Sequence, residues 1–130
     1  MESDYPGVAR IQARCPEAAQ WPVGDYSNFQ VLLAVDGDKP VGFCAWRQSL
    51  PDEAELLNLG VDPDFRHRGV GRALLAGLEG LASGNLYLEV AENNVPAIGL
   101  YHKCGWESIG LRRGYYANGT VHAVVMKKVS

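Results

Sequence analysis

Apolar and polar positions along the chain fall into short blocks that predict strands interleaved with helices. Val8 to Cys15 reads as a short helix ended by Pro16, and Glu17 to Trp21 as a further helical turn before Pro22. Val31 to Val35 is a compact apolar strand, Asp36-Gly37-Asp38 a turn, and Val41 to Arg47 the returning strand of a hairpin. After a turn at Leu50 to Asp52, Glu55 to Val61 reads as a third strand, and Gly60 near its end suggests a bulge or a ligand approaching closely. The clearest helix is Arg72 to Ala82, with Leu74, Leu75, Leu78, Leu81 and Ala82 on one side, closed by Gly84 and Asn85. Leu86 to Val90 is a mostly apolar strand, expected at the centre of its sheet. Asn93-Asn94 then cap a helix with Pro96 in its first turn, running to about Cys104 and stopped by Gly105. Trp106 to Leu111 and Val121 to Lys127 complete the strands, with Arg112 to Gly119 as a polar-aromatic connection. The order predicts a mixed α/β (α+β) sheet in one domain spanning residues 1–130.

Composition narrows the function classes. The 130 residues are 47% hydrophobic and 21% charged, as in a folded domain with a real core. A net charge of −3 offers no broad basic field for nucleic acid or an anionic membrane. Inside this acidic chain, Arg66, His67, Arg68 and Arg72 form a local basic cluster. Cys15, Cys44 and Cys104 are odd in number and include no Cys-x-x-Cys pair, so reduced, cytoplasmic thiols are expected. His67, His102 and His122 lack metal-ligand spacing with each other or with the cysteines, so no metal is expected. No apolar run approaches a membrane span, and Met1 to Gly7 carry no signal-peptide core.

The strongest chemical signal runs from Val61-Asp62-Pro63-Asp64-Phe65 through Arg66-His67-Arg68-Gly69-Val70-Gly71 into the helix. A strand ends, a turn follows, and a helix starts beside two glycines. Glycine lets a ligand approach the backbone, and the free amides and dipole of a helix start favour an anion such as a pyrophosphate. The pattern lacks the Gly-Lys-Ser/Thr of a Walker loop and the third glycine of a dinucleotide fingerprint. Taken alone, it says only that an anion can sit at a helix start.

These residues resemble the GCN5-related N-acetyltransferase (GNAT) family, whose signature is Arg/Gln-x-x-Gly-x-Gly/Ala after a strand ending in Val-Asp-Pro. The resemblance runs from about Val31 to Met126 and is nearest the bacterial ribosomal-protein-alanine (RimI-like) members. Asn58 to Asp64, Leu88-Glu89-Val90, Asn94 to Tyr101 and Arg112-Arg113-Gly114-Tyr115-Tyr116 carry it. It implies a mostly antiparallel sheet flanked by helices. It also implies acetyl-CoA as co-substrate and acetyl transfer to an amine, either a peptide N-terminus or a small molecule, by a monomer or homodimer. The backbone of Leu59, Gly60 and Val61 would meet the pantetheine arm, and Arg66, His67, Arg68, Gly69, Val70 and Gly71 the pyrophosphate. Asn94 would bond the cofactor arm, Glu89 would be the general base and Tyr101 the general acid.

Other readings stay open beside these. Glu55, on the neighbouring strand, is an alternative base, and Asn94 is also a helix cap. Cys104 reads as a small buried thiol, and His67 and His102 as surface residues. Tyr115 and Tyr116 offer rigid faces to a peptide, with Arg112 and Arg113 to set its register. The family's usual opening strand is expected to be missing or supplied otherwise, because only Met1 to Tyr5 precede Val8. Ala91 stands where RimI-like relatives often carry arginine, so the acceptor is less defined than the donor. The alternatives to a peptide N-acetyltransferase are transfer to a small amine or lysine, and a non-catalytic acetyl-CoA-binding domain. The presence of both Glu89 and Tyr101 favours an enzyme.

Overall fold

A computed structural model describes residues 5–16, 18, 22–116 and 119–129. Six strands pair in the order β1-β2-β3-β4-β6-β5: β1 (Gln30–Asp36), β2 (Lys39–Leu50), β3 (Glu53–Val61), β4 (Asn85–Ala91), β5 (Glu107–Tyr116) and β6 (Val121–Lys128). β3 and β4 run parallel, while β1–β2, β4–β6 and β5–β6 are antiparallel. Three α-helices accompany them: α1 (Tyr5–Ala13), α2 (Val70–Leu81) and α3 (Val95–Lys103). This is the mixed α/β sheet that the pattern predicts, mostly antiparallel as the resemblance implies. Among the described residues α1 is the first element. The helical turn expected at Glu17 to Trp21 falls largely outside the described residues.

The chain divides into two compact units, Met1–Arg47 with Leu56–Leu81, and Gln48–Glu55 with Ala82–Ser130. In the first unit, the core gathers Val8 and Ile11 of α1, Cys15, Tyr26, and Phe43 and Ala45 of β2. Tyr26 meets Phe43 edge-on at 5.8 Å. Its hydroxyl donates to Gln12 Oε1 and accepts from Asn58 Nδ2 at 2.9 Å, so a buried polar group is satisfied from two sides. Burial pushes its phenol up to about 12 despite the Asn58 bond.

α2 begins two residues before the predicted start, because Val70 already packs. A Cβ on Gly42 of β2 would lie 2.7 Å from Val70 Cγ1 and 3.1 Å from Leu74 Cδ1. Leu74, Leu75 and Leu78 are buried, whereas Leu81, predicted on the same side, ends the helix 61% exposed.

In the second unit, the parallel register is Glu53↔Asn85, Ala54↔Leu86 and Glu55↔Tyr87. Gly84 turns the chain into β4 at φ +83°, and a Cβ there would sit 1.8 Å from the Asp52 carbonyl oxygen. Side chains alternate: Leu86, Leu88 and Val90 are buried while Tyr87 and Glu89 stand half-exposed. β5 corrects the predicted connection. Arg112 to Tyr116 are strand, because they pair with β6 from Arg112↔Ala123 to Tyr116↔Val121, partners 5–11 residues away in sequence, and two register shifts along β5 absorb the mismatch. Gly114 takes φ +65° there, and its amide donates to His122 Nδ1 at 2.8 Å.

Candidate active site

In the first unit, the turn after β3 leads bare backbone into a helix start. Asp62 caps the short 3₁₀ helix Pro63–Phe65, and Gly69 adopts φ +81° just before α2. Nothing lies within 4 Å of where a Gly69 Cβ would stand, so the backbone is bare on that side. The first bond into α2 is Ala73 N to Gly69 O at 2.9 Å. The amides of Val70, Gly71 and Arg72 therefore have no acceptor inside the helix, and no acidic residue occupies the first turn. His67 is also left-handed, at φ +63°, and exposed. These features fit a phosphate group.

The basic residues divide their tasks. Arg66 folds back, donating from Nε to the Val61 carbonyl at 3.4 Å and from Nη2 to Cys15 Sγ at 3.7 Å. The guanidinium of Arg68 lies over the Phe65 ring at 5.1 Å. Sequence reasoning missed the buttress beneath: Asp62 is fully buried and accepts from Arg14 Nη1 at 2.7 Å, Arg10 Nη1 at 3.2 Å and the Asp64 amide at 3.0 Å. Burial pushes its carboxyl up, but the Asp64 amide, Arg14, Lys39 and Arg10 outweigh that and hold it below its ordinary value. The sole local signal was an aspartate before proline; its two arginines lie 48 and 52 residues away.

Leu59, Gly60 and Val61 are the last residues of β3. The Leu59 amide donates to Asn58 Oδ1 at 3.0 Å, and the Val61 carbonyl also accepts from Cys15 Sγ at 3.2 Å. Gly60 is buried because a Cβ would lie 2.7 Å from Phe43 Cε1 and 3.4 Å from Ile11 Cγ2. Packing against Phe43 thus gives this glycine a reason of its own, beside the bulge or ligand approach that the sequence suggested.

The second unit carries the other predicted residues. Glu89 on β4 binds Arg112 on β5, whose Nη1 donates to both carboxylate oxygens at 3.0 and 3.1 Å. Arg112 thus crosses β6 over the small Ala123, its own register partner. The pair is partly exposed, 26% for Glu89 and 56% for Arg112, and contributes under about 1 kcal/mol to stability. Its weight lies in holding the carboxylate in place. Glu89 and Glu55 line one cleft of about 240 Å³, with Ser49, Glu53, Tyr87 and Val125. Tyr101 and Asn94 are not among its lining residues.

Tyr101 sits near the end of α3, 6% exposed, its ring 5.8 Å from Trp106 and tilted by 53°. The Trp106 amide donates to the Tyr101 carbonyl at 3.0 Å, clipping the helix end. Asn94 caps α3, its Oδ1 accepting from the Ala97 amide at 3.4 Å. Burial pushes the Cys44 thiol up to about 12 despite a backbone bond at Leu32. Among the described residues, no helix is long and apolar enough to cross a membrane.

Comparison with known proteins fixes the family. The model of the acetyltransferase (GNAT) family matches residues 3–106. The ribosomal protein bS18-alanine N-acetyltransferase of Salmonella typhimurium is 35% identical over 133 residues, covering 95% of this chain and 90% of that protein. Its Escherichia coli counterpart is 39% identical over 107 residues, covering 78% and 70% respectively. The crystal structure of the Escherichia coli ribosomal-protein-S18-alanine N-acetyltransferase superposes with a TM-score of 0.85 at 30% identity, over 99% of this chain and 89% of that one. A turn shaped for phosphate and a match across nearly the whole chain lead to one conclusion: the protein belongs to the GNAT family and is an N-acetyltransferase.

Proposed function

We propose that this single-domain enzyme transfers the acetyl group of acetyl-CoA to the N-terminal α-amine of a protein, of the ribosomal-protein-alanine type. The observation that carries this reading is the likeness to two enzymes named for that reaction, near full length for the first of them. The three cysteines, which form no disulfide among the described residues, suit a cytoplasmic setting.

In this reading the Gly69–Gly71 turn and the start of α2 hold the pyrophosphate, with Arg66, His67 and Arg68 around it. The backbone of Leu59, Gly60 and Val61 and the side chain of Asn94 hold the pantetheine arm. Acetyl-CoA supplies an acetyl group already activated as a thioester. A protein N-terminal amine has a reference pKa of about 7.7–8.0, so much of it is protonated at neutral pH. Glu89, steadied by Arg112, takes that proton and frees the nitrogen lone pair. The Val61 amide steadies charge developing on the thioester oxygen. As the C–N bond forms and the C–S bond breaks, the nitrogen gives up its second proton, which replaces the one that the Tyr101 hydroxyl hands to the departing sulfur. The products are an acetylated amine and CoA, with no covalent enzyme intermediate.

Glu55 remains the second candidate for the base, because it lines the same cleft as Glu89. The test of the function is a panel of N-terminal peptides against polyamines, aminoglycosides and lysine peptides, read by CoA release. Peptides that begin with alanine are expected to react best; turnover confined to small amines overturns the acceptor assignment.

A further inference from the structure

Tyr87 lines the cleft that Glu55 and Glu89 share, and the sequence gave no reason to single it out. The sheet register fixes its surroundings. Its direct partner is Glu55 of β3 on one side and Lys127 of β6 on the other. Directly paired residues point to the same face of a sheet. Glu89 follows two residues later on β4, so it shares that face about 7 Å further along. Tyr87 therefore has one carboxylate side chain beside it and a second beyond it. All four residues belong to the second unit.

One contact shows what the ring attracts. Lys127 Nζ lies over it, 5.5 Å from the ring centre, although Lys127 has a carboxylate, Glu107, as its partner on β5. The π electrons thus hold a cation that has an acid as its other neighbour. Lys127 reaches the ring from β6 and is not among the residues that line the cleft, so it steadies Tyr87 from outside. An amine that enters the cleft protonated meets Glu55, Glu89 and this ring together. The carboxylates draw its charge. The ring also attracts the charge but offers no base at neutral pH, so the proton is left for a carboxylate to take.

We propose that Tyr87 seats the protonated amine of the acceptor, with the ammonium against its ring between Glu55 and Glu89. The assignment rests on the reading that the acceptor is a peptide N-terminus. It makes the positive charge of the amine a condition of binding, in addition to the peptide behind it.

Calorimetric titration of the full chain, saturated with CoA, tests it with two peptides: one that begins with a free alanine, and its des-amino counterpart, which lacks only the charged group. The wild type is compared with Tyr87→Phe, which keeps the ring, and Tyr87→Leu, which removes it. Circular dichroism checks folding, and Tyr87→Ile serves if the leucine variant is not folded. Tyr87→Leu is expected to bind the alanine peptide about tenfold more weakly and the des-amino peptide within about twofold of the wild type. Tyr87→Phe is expected to stay within about twofold of the wild type for both peptides. An unchanged affinity in Tyr87→Leu, an equal loss for both peptides, or a loss in Tyr87→Phe as large as in Tyr87→Leu overturns the assignment while leaving the acceptor reading intact. Failure of the wild type both to bind and to acetylate the alanine peptide overturns the acceptor reading, and the assignment with it.

Discussion

Replacing Gly60 by alanine tests the packing at the end of β3. The added methyl would stand 2.7 Å from Phe43 Cε1, closer than side-chain carbons come, and 3.4 Å from Ile11 Cγ2 and Phe43 Cδ1. Phe43 has nowhere to retreat: it is fully buried, and its ring faces Tyr26, whose hydroxyl is tied to Gln12 and Asn58. Overpacking of this kind costs about 1–3 kcal/mol. For a chain of this size the midpoint of thermal unfolding falls by about 3–4 °C per kcal/mol, so a drop of about 7 °C is expected at the middle of that range. Phe43→Leu removes the offending ring carbon, so the two substitutions must couple: the double variant loses less than the sum of the singles, by about 1 kcal/mol. Urea unfolding of the four proteins measures this directly. Wild-type stability in Gly60→Ala, or strict additivity with Phe43→Leu, refutes the packing account.

Three further outcomes follow from the two units. The folded carboxyl of Asp62 lies below its ordinary value, so it stabilises the fold above the unfolded pKa of about 3.9, and that stability disappears as pH falls through the lower folded value. The unfolding midpoint of Asp62→Asn should therefore lie well below the wild type at pH 7, and the gap should shrink below about pH 4; a gap unchanged at pH 3 contradicts the assignment. Gly69→Asp meets no neighbour and strains only its φ, by about 1–2 kcal/mol, yet places a negative charge at the anion turn. Its affinity for acetyl-CoA should fall on the order of 100-fold, far more than in Gly69→Ala, and normal affinity removes the turn from the donor site. Tyr101→Phe keeps the ring against Trp106, so kcat should fall on the order of 100-fold with acetyl-CoA binding unchanged; unchanged turnover removes Tyr101 from the acid role.

Local signals carried most of the fold. Gly84, Asn94, Pro96 and Gly105 mark helix ends whose capping is decided within a few residues, and β1 to β4 follow runs of apolar residues. The turn before α2 was legible for the same reason: Gly69 takes a left-handed φ, and the helix start follows it directly. What stayed hidden depends on distant partners. Asp62 acquires its role from Arg10 and Arg14, and Gly60 from Phe43, contacts that no spacing along the chain announces. Arg112 to Tyr116 look like a loop because Arg112-Arg113-Gly114 has little strand character; pairing with β6 overrides it. Arg112, expected from the sequence to set the register of a peptide, also has a bond to Glu89 that no spacing announced.

Acceptor identity is the core of the functional reading, and one peptide can decide it. A synthetic peptide that begins with a free alanine and carries one internal lysine presents an α-amine and an ε-amine to the enzyme in the same molecule. After incubation with acetyl-CoA, fragmentation mass spectrometry locates the added acetyl group. The account predicts acetylation at the alanine α-amine, with the lysine untouched and one CoA released per acetyl transferred. Acetyl on the lysine alone, or no transfer to a peptide that binds, contradicts it.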